Sequence, residues 1–461
     1  MSHHRHARFC KHSRWGVLLG AALFYGSSTA GAADLGGNCC ADLEERIADL
    51  EATTARKGNR KVKLTISGWV NEAVFWWDDG QEHNAYVATN GLEQTRFRFV
   101  GEAKIDKDWS AGYFLEIGVS DAVSTLFDQF DSQGAGPALA VLPIVRKSYW
   151  YVKNKDYGQV SIGLNGSATY HLLDDADATN TRNFSDAEAA GVAVNNFIIV
   201  SNGALNPANL RWRQVLRGFN NDTPGQAGRR QIVRYDTPEF QGFLKGFSFA
   251  AAWGADDLWD AAITFNRDIH DFKVLAKAGY GNSTDDFVPP PNDVTSGTLC
   301  GGPSPNFECE WAGAAATIMH IPTGLYVYGG FGWQRIDSLP AVIVVGGVPV
   351  FPGKTSTTWF VQPGIERKWH PLGKTTIFGE YRHDDPGASL ANGAFTFGAT
   401  STRGADINFW AAGVVQNVEA AAMDLYAIYR HADGEFVAGQ TGVLTPIDNF
   451  DMVITGALIK F

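Results

Sequence analysis

Cysteine and histidine are scarce in this chain, five and eleven in 461 residues. No pair of them has the His-x-x-x-His or Cys-x-x-Cys spacing of a metal site. No nucleophile motif occurs either, so the sequence announces no enzyme, cofactor or metal. Beyond the N-terminus there is no apolar run near the ~18 residues that a membrane helix needs. Basic residues are the minority, 38 against 49 acidic, for a net charge of −11, which argues against nucleic acid as a partner. What is present is glycine (51), an aromatic share of 12% and a hydrophobic share of 45%. Such a chain is either soluble or crosses a membrane as strands. Its length suggests two or three domains, but barrels run long as single units.

The N-terminus sets the compartment. Met1–Arg14 is basic, Trp15–Tyr25 apolar, and Ser27–Ala33 a run of small residues with Ser28 and Ala30 at −3 and −1 positions. This is the pattern of a secretory signal peptide over residues 1–33. Its removal takes four basic and no acidic side chains, moving the net charge from −11 to −15. In an exported protein, Cys300 and Cys309, which bracket the Gly/Pro-rich stretch LCGGPSPNFEC, are expected to form a loop disulfide. Cys39 and Cys40 either link subunits or remain free thiols.

Residues 34–60 form a separate N-terminal segment on the periplasmic side. Within it ADLEERIADLEATTAR (Ala41–Arg56) is helical, with Leu43, Ile47 and Leu50 in coiled-coil spacing. Two heptads are marginal alone, so the helix either joins partner chains, reaches the cell wall or lies beneath the main domain. From Lys61 onward the period becomes 2. Strands are expected at 62–76, 92–106, 108–120, 144–153, 157–164, 229–237, 244–253, 258–268, 270–281, 310–321, 323–336, 355–369, 373–384, 404–416, 419–431 and 447–461. Short connections follow the even-numbered strands. Long ones follow most odd-numbered strands, among them 77–91, 121–143, 282–309 and 337–354. Strands of about ten residues with turns at one end and loops at the other describe a transmembrane up-and-down barrel of the outer membrane. The expected fold is therefore all-β over residues 61–461, with about sixteen antiparallel strands.

Side chains alternate accordingly. In TRFRFVGEAKI, Phe97 and Phe99 share one face, Arg96 and Arg98 the other. In RRQIVRYD, Val233 and Tyr235 oppose Arg230, Arg234 and Asp236. Arginine is costly on a lipid face, so the arginines are expected to face water inside. One connection is far longer than the rest, an inserted loop over residues 165–228. An unpatterned segment of that length inside a domain is usually functional. It opens on Asp174, Asp175 and Asp177, and an arginine series, Arg211, Arg213, Arg217, Arg229, Arg230 and Arg234, runs from its end into the next strand. It is expected to fold into the barrel and narrow the pore.

The stretches KVKLTISGWVNEAVF, LEQTRFRFVGEAKIDKDW, RKSYWYV, GQVSIGLNGSATY and RYDTPEFQGFLKGFSFAAAWG, with the terminal Phe461, resemble trimeric general porins of Gram-negative bacteria. The alphaproteobacterial, rhizobial-type porins are the most similar group. The resemblance spans the mature chain and implies a sixteen-stranded homotrimeric barrel in outer-membrane lipid, with Phe461 as its assembly signal. It implies passive diffusion of small hydrophilic solutes. Acids on the inserted loop would face wall arginines, here Asp174, Asp175 and Asp177, with Asp186 and Glu188 behind them, against Arg96, Arg98, Arg146, Arg229, Arg230 and Arg234. The proline–glycine turn of the enteric porins' loop is absent, and this loop is longer. A second reading is a channel that binds anionic solutes through its arginines.

Overall fold

A computed structural model describes residues 61–119, 122–132, 144–179, 181, 196–216, 223–254, 257–284, 308–390 and 397–461. The expected signal peptide, the helix at 41–56, Cys39, Cys40, Asp186, Glu188, Arg217 and Cys300 lie outside them.

Strand β1 spans Lys63–Asp78, β2 His83–Thr89, β3 Arg96–Lys104, β4 Trp109–Gly118, β5 Ile144–Asn154 and β6 Gly158–Gly166. The inserted segment holds two-residue strands β7 (Val200–Ser201) and β8 (Ala204–Leu205). Then come β9 (Arg229–Asp236), β10 (Phe247–Gly254), β11 (Trp259–Ile269), β12 (Phe272–Ser283), β13 (Cys309–His320) and β14 (Leu325–Ile336). A small hairpin, β15 (Ile343–Val345) and β16 (Val348–Val350), rises from the next loop. After it follow β17 (Thr355–His370), β18 (Gly373–Asp385), β19 (Thr402–Val418), β20 (Met423–Ala438) and β21 (Leu444–Lys460).

Neighbouring strands pair antiparallel, and β21 returns to β1 from Trp69↔Lys460 to Asp78↔Asp451, which closes the sheet. Strand β2 pairs with one half of β1 and β3 with the other. They are halves of one interrupted strand, so the seventeen segments of the sheet form a barrel of sixteen strands. The terminal residue seals the seam. Phe461 exchanges both backbone hydrogen bonds with Gly68, at 3.1 and 3.0 Å. Its ring lies 2.7 Å from where a Cβ on Gly68 would stand.

Period-2 alternation sorts the side chains. On β1, Asn71, Ala73, Phe75 and Trp77 are buried inside, while Val70 and Trp76 are exposed outside. Trp76, Trp253, Trp259, Trp359 and Trp410 are exposed toward the loop end of the wall, and Tyr113, Tyr235, Phe272 and Trp369 toward the turn end. Two such belts are the mark of membrane interfaces.

Three expectations change. The long loop expected at 77–91 is instead a hairpin. Asp79 Oδ1 accepts from the backbone N–H of Gln81 and Glu82 at 2.9 and 2.7 Å, and the tight turn lets β2 pair with β1. The irregular part is confined to residues 90–95, where Asn90 caps a single 3₁₀ turn. Strands β19, β20 and β21 run longer than expected, which shrinks the last loop to residues 439–443. The preceding turn moves from 417–418 to Glu419–Ala422, with Ala422 in the left-handed region at φ 48°.

Candidate functional site

The inserted segment runs from Ser167 to Gly228 between β6 and β9, and its described parts form two limbs. The first, residues 167–179 with 181, is pinned to the inner face of β11 to β17. Asp260, buried on β11, accepts from Ala168 N, Thr169 N and Thr169 Oγ1 at 2.9, 2.7 and 2.6 Å. Trp311 Nε1 donates to Thr169 Oγ1, Thr317 Oγ1 to Ala176 O, and the Tyr328 hydroxyl to Leu173 O at 2.7 Å. Gln362 Nε2 reaches Thr181 Oγ1 at 2.7 Å. These bonds answer backbone groups that a segment inside a barrel must satisfy. At the far end, Gly225 (φ 94°) lies directly on Gly313 and Gly332; a Cβ on Gly332 would stand 1.7 Å from Pro224 O. Only glycine lets two backbones approach so closely.

The second limb, residues 196–216, makes an apolar contact with β1, β19 and β21. Phe197, Ile199, Leu210, Trp212 and Val215 are buried against Phe75, Trp77, Phe409 and Phe450. The Phe197 ring stands 5.0 Å from Trp77 and 4.8 Å from Phe450. Residues 122–132 join this cluster through Phe127, and Gln129 bridges Asp79 Oδ2 and Ile198 O. Arg211 binds Asp128 at 2.6 Å, and Asp448 accepts from Asn202 N and Gly203 N. Much of the loop-side lumen is therefore filled with apolar side chains.

The third wall, β3 to β9, is basic. Arg96 and Arg98 lie 4.7 and 4.4 Å over the Trp69 ring. Glu116, 1% exposed on β4, receives Arg98 Nε at 2.5 Å, Arg146 Nε at 3.1 Å and Arg96 Nη1 at 3.5 Å. Glu93 takes Arg96 Nη2 at 3.1 Å, and Gln94 Oε1 accepts from Arg146 at 3.0 Å. Between β4 and β5 the pairing passes from Glu116↔Lys147 to Ile117↔Val145 and skips Arg146. A bulge of this kind re-aims side chains. Here it turns two successive cations inward, and Lys147 Nζ stands 4.9 Å over the Tyr170 ring. On β9, Arg234 forks onto Asp236 at 2.7 to 3.0 Å and donates to Gly166 O and Ser167 O. Arg230, four residues earlier on the same face of the strand, is 5% exposed and donates to Arg229 O.

Tyr170 sits where the first limb meets this wall. Burial raises its phenol, but His171, Arg229, Arg146 and Lys147 outweigh that and bring it down to about 7.

The expected residues that lie among the described ones fall as follows. Arg96, Arg98 and Arg146 converge on Glu116, a carboxylate of the wall. Asp174 meets His171 Nδ1 at 2.5 Å, Asp175 meets Lys277 Nζ at 2.9 Å, and Asp177 accepts from Thr179 and Thr181. Arg229, Arg230 and Arg234 flank the root of the inserted segment. Cys309 is disulfide-bonded. Sequence reasoning passed over Glu116, although an acid in register with Arg98 on a neighbouring apolar strand was visible. It also passed over Asp260. Lys147 was hidden, because a bulge leaves no mark in the alternation.

A family model for Gram-negative porins matches residues 19–297. No curated protein matches the chain by sequence. Among solved structures, the anion-selective porin from Comamonas acidovorans aligns with a TM-score of 0.52 at 13% identity, covering 87% of this chain and 100% of that one. OmpT, an outer membrane protein of Vibrio cholerae, aligns at 0.49 and 12% identity, covering 88% and 99%. At such identities the likeness is one of fold. The family match spans more than half of the sequence, and the chain belongs to the Gram-negative porin family. It is an outer-membrane porin, a barrel forming a water-filled channel for passive diffusion of small hydrophilic solutes and ions.

Proposed function

We propose that solutes pass between the basic wall of β3 to β9 and the first limb of the inserted segment, and that this passage prefers anions. The observation that supports the reading is the inward wall itself. Arg96, Arg98, Arg146, Lys147, Arg229, Arg230 and Arg234 outnumber Glu93, Glu102, Glu116 and Asp236 there. Rings of fixed charge tune ion preference in pores. The apolar second limb, packed on β1, β19 and β21, leaves less open lumen along those strands. The Arg230→Ala/Arg234→Ala double variant is expected to widen the passage and raise cation over anion permeability. Unchanged conductance and reversal potential would refute the assignment. The rhizobial-type subgroup, the signal peptide at 1–33 and the Cys300–Cys309 disulfide belong to the same proposal.

The native assembly is proposed to be a homotrimer. Glu72 is exposed on the outer face of β1, midway along the strand, and accepts from Thr89 and Thr95 hydroxyls at 2.7 and 3.1 Å. A charge facing lipid there is costly, and a second copy over β1 to β3 would remove it from lipid.

Tyr170 gives the passage a pH dependence. Its phenol loses a proton near pH 7 in the fold, against 10 for a free tyrosine. As pH rises from about 6 to 8 a negative charge appears beside Arg146, Arg229 and Lys147, so anion preference should fall. Folding stability should rise from pH 7 to 10, because the unfolded chain holds that proton longer. Tyr170→Phe is expected to flatten the reversal potential between pH 6 and 8. An identical pH profile in this variant would rule the phenol out.

A further inference from the structure

On the outside of the barrel, at the turn end of β12 to β18, lies an apolar hollow of about 690 Å³. Its origin is local. Pairing between β17 and β18 runs to Val361↔Tyr381 and resumes at Gly364↔Phe378. In the gap stands Pro363, which has no N–H to give the ladder. Gly379 stands opposite, and a Cβ there would meet nothing nearer than Ala411 O at 3.8 Å. Two outward positions that ordinarily carry bulky side chains thus carry a proline and a glycine. The floor is the backbone at Tyr326 and Phe378, whose rings turn into the barrel, and the rim is formed by the exposed Ile318, Val327 and Ile377.

We propose that this hollow holds one acyl chain of a phospholipid from the turn-side leaflet, with its anionic headgroup at the turn. The proposal rests on the strands spanning the membrane, not on the route of solutes. Three observations point to this occupant. The hollow is on the outer face, where hydrocarbon is the solvent, and a dry void there would forfeit dispersion contacts that an acyl chain supplies. It runs from Leu325, the first residue of β14, up to the level of Val327 and Gly379, roughly 7 Å of strand, so its mouth is at headgroup depth. At that mouth His320 stands beside Phe272, ring to ring at 5.1 Å, and the Arg367 side chain lies against Gly324. A cation and an imidazole at the headgroup level suit a phosphate. A second copy is the less fitting occupant, because the costly outward Glu72 lies on a separate stretch of wall, on β1, four to six strands away from β18, β17 and β14 by the pairing order.

The full-length protein would be placed in nanodiscs of phosphatidylcholine containing trace phosphatidylglycerol with a diazirine on the acyl chain. Crosslinks are expected to concentrate on Ile318, Val327 and Ile377. Gly379→Phe fills the hollow from an open position and should cut them on the order of tenfold, the effect of about two methylenes losing contact. His320→Ala/Arg367→Ala should keep acyl labelling but remove the preference for phosphatidylglycerol over a phosphatidylcholine probe. Gel mobility and conductance establish that each variant is folded. Even labelling around the barrel, labelling indifferent to Gly379→Phe, no headgroup preference in the native protein, or crosslinks to a second chain would each overturn the proposal.

Discussion

Glu116→Gln is expected to shift the reversal potential toward anions and to weaken the barrel by about 3–5 kcal/mol, the cost of leaving buried charges without their partner. One carboxylate, 1% exposed, receives three guanidinium groups. Glutamine keeps the shape but brings its own donors against Arg96, Arg98 and Arg146. Three arginines then face the lumen with Glu93 as the remaining nearby acid. Some will swing toward water, which adds positive charge to the passage just where selectivity is set. Two measurements check this: the reversal potential under a salt gradient, and the temperature at which the folded band is lost in detergent. Glu116→Asp, which keeps the charge on a shorter arm, should recover much of the selectivity. A Glu116→Gln channel with native selectivity and native melting would mean that the cluster neither sets the field nor holds the wall.

What could be read in the sequence follows from which forces act locally. The barrel was legible because lipid outside and water inside impose a period of two on every strand. Arg96 and Arg98 against Phe97 and Phe99 is that rule in four residues. The hairpin of β1 and β2 was missed although its turn, Asp78-Asp79-Gly80, was in plain view, because Ala73–Trp77 is apolar on both faces and its residue types carry no alternation to follow past the turn. Arg146 and Lys147 were separable only by register, since a bulge depends on the partner strand. The inserted segment was recognised by length alone. Its two limbs are fixed by contacts more than ninety residues apart in sequence, such as Thr169 with Asp260 and Leu173 with Tyr328. No local pattern records those.

Trp212→Ala should have the other large effect, on conductance. The indole is 1% exposed, with Phe409 and Phe450 each 6.2 Å away, centroid to centroid. Deleting a buried tryptophan costs about 3–5 kcal/mol when the site cannot collapse. Here the loss falls on a limb that is not a barrel strand, so the limb is expected to loosen while the sixteen strands stay paired. Single-channel current should rise and become noisier, whereas Trp212→Phe should stay close to native. Native current and noise in Trp212→Ala would mean that this limb does not bound the passage. Salt separates this variant from Glu116→Gln. Lumen charges act through a field that electrolyte screens over about 10 Å at 0.1 M and 3 Å at 1 M, so the selectivity change at Glu116 should fade as salt rises. Apolar packing has no such dependence, so the excess conductance of Trp212→Ala, taken relative to native at each concentration, should persist into molar salt.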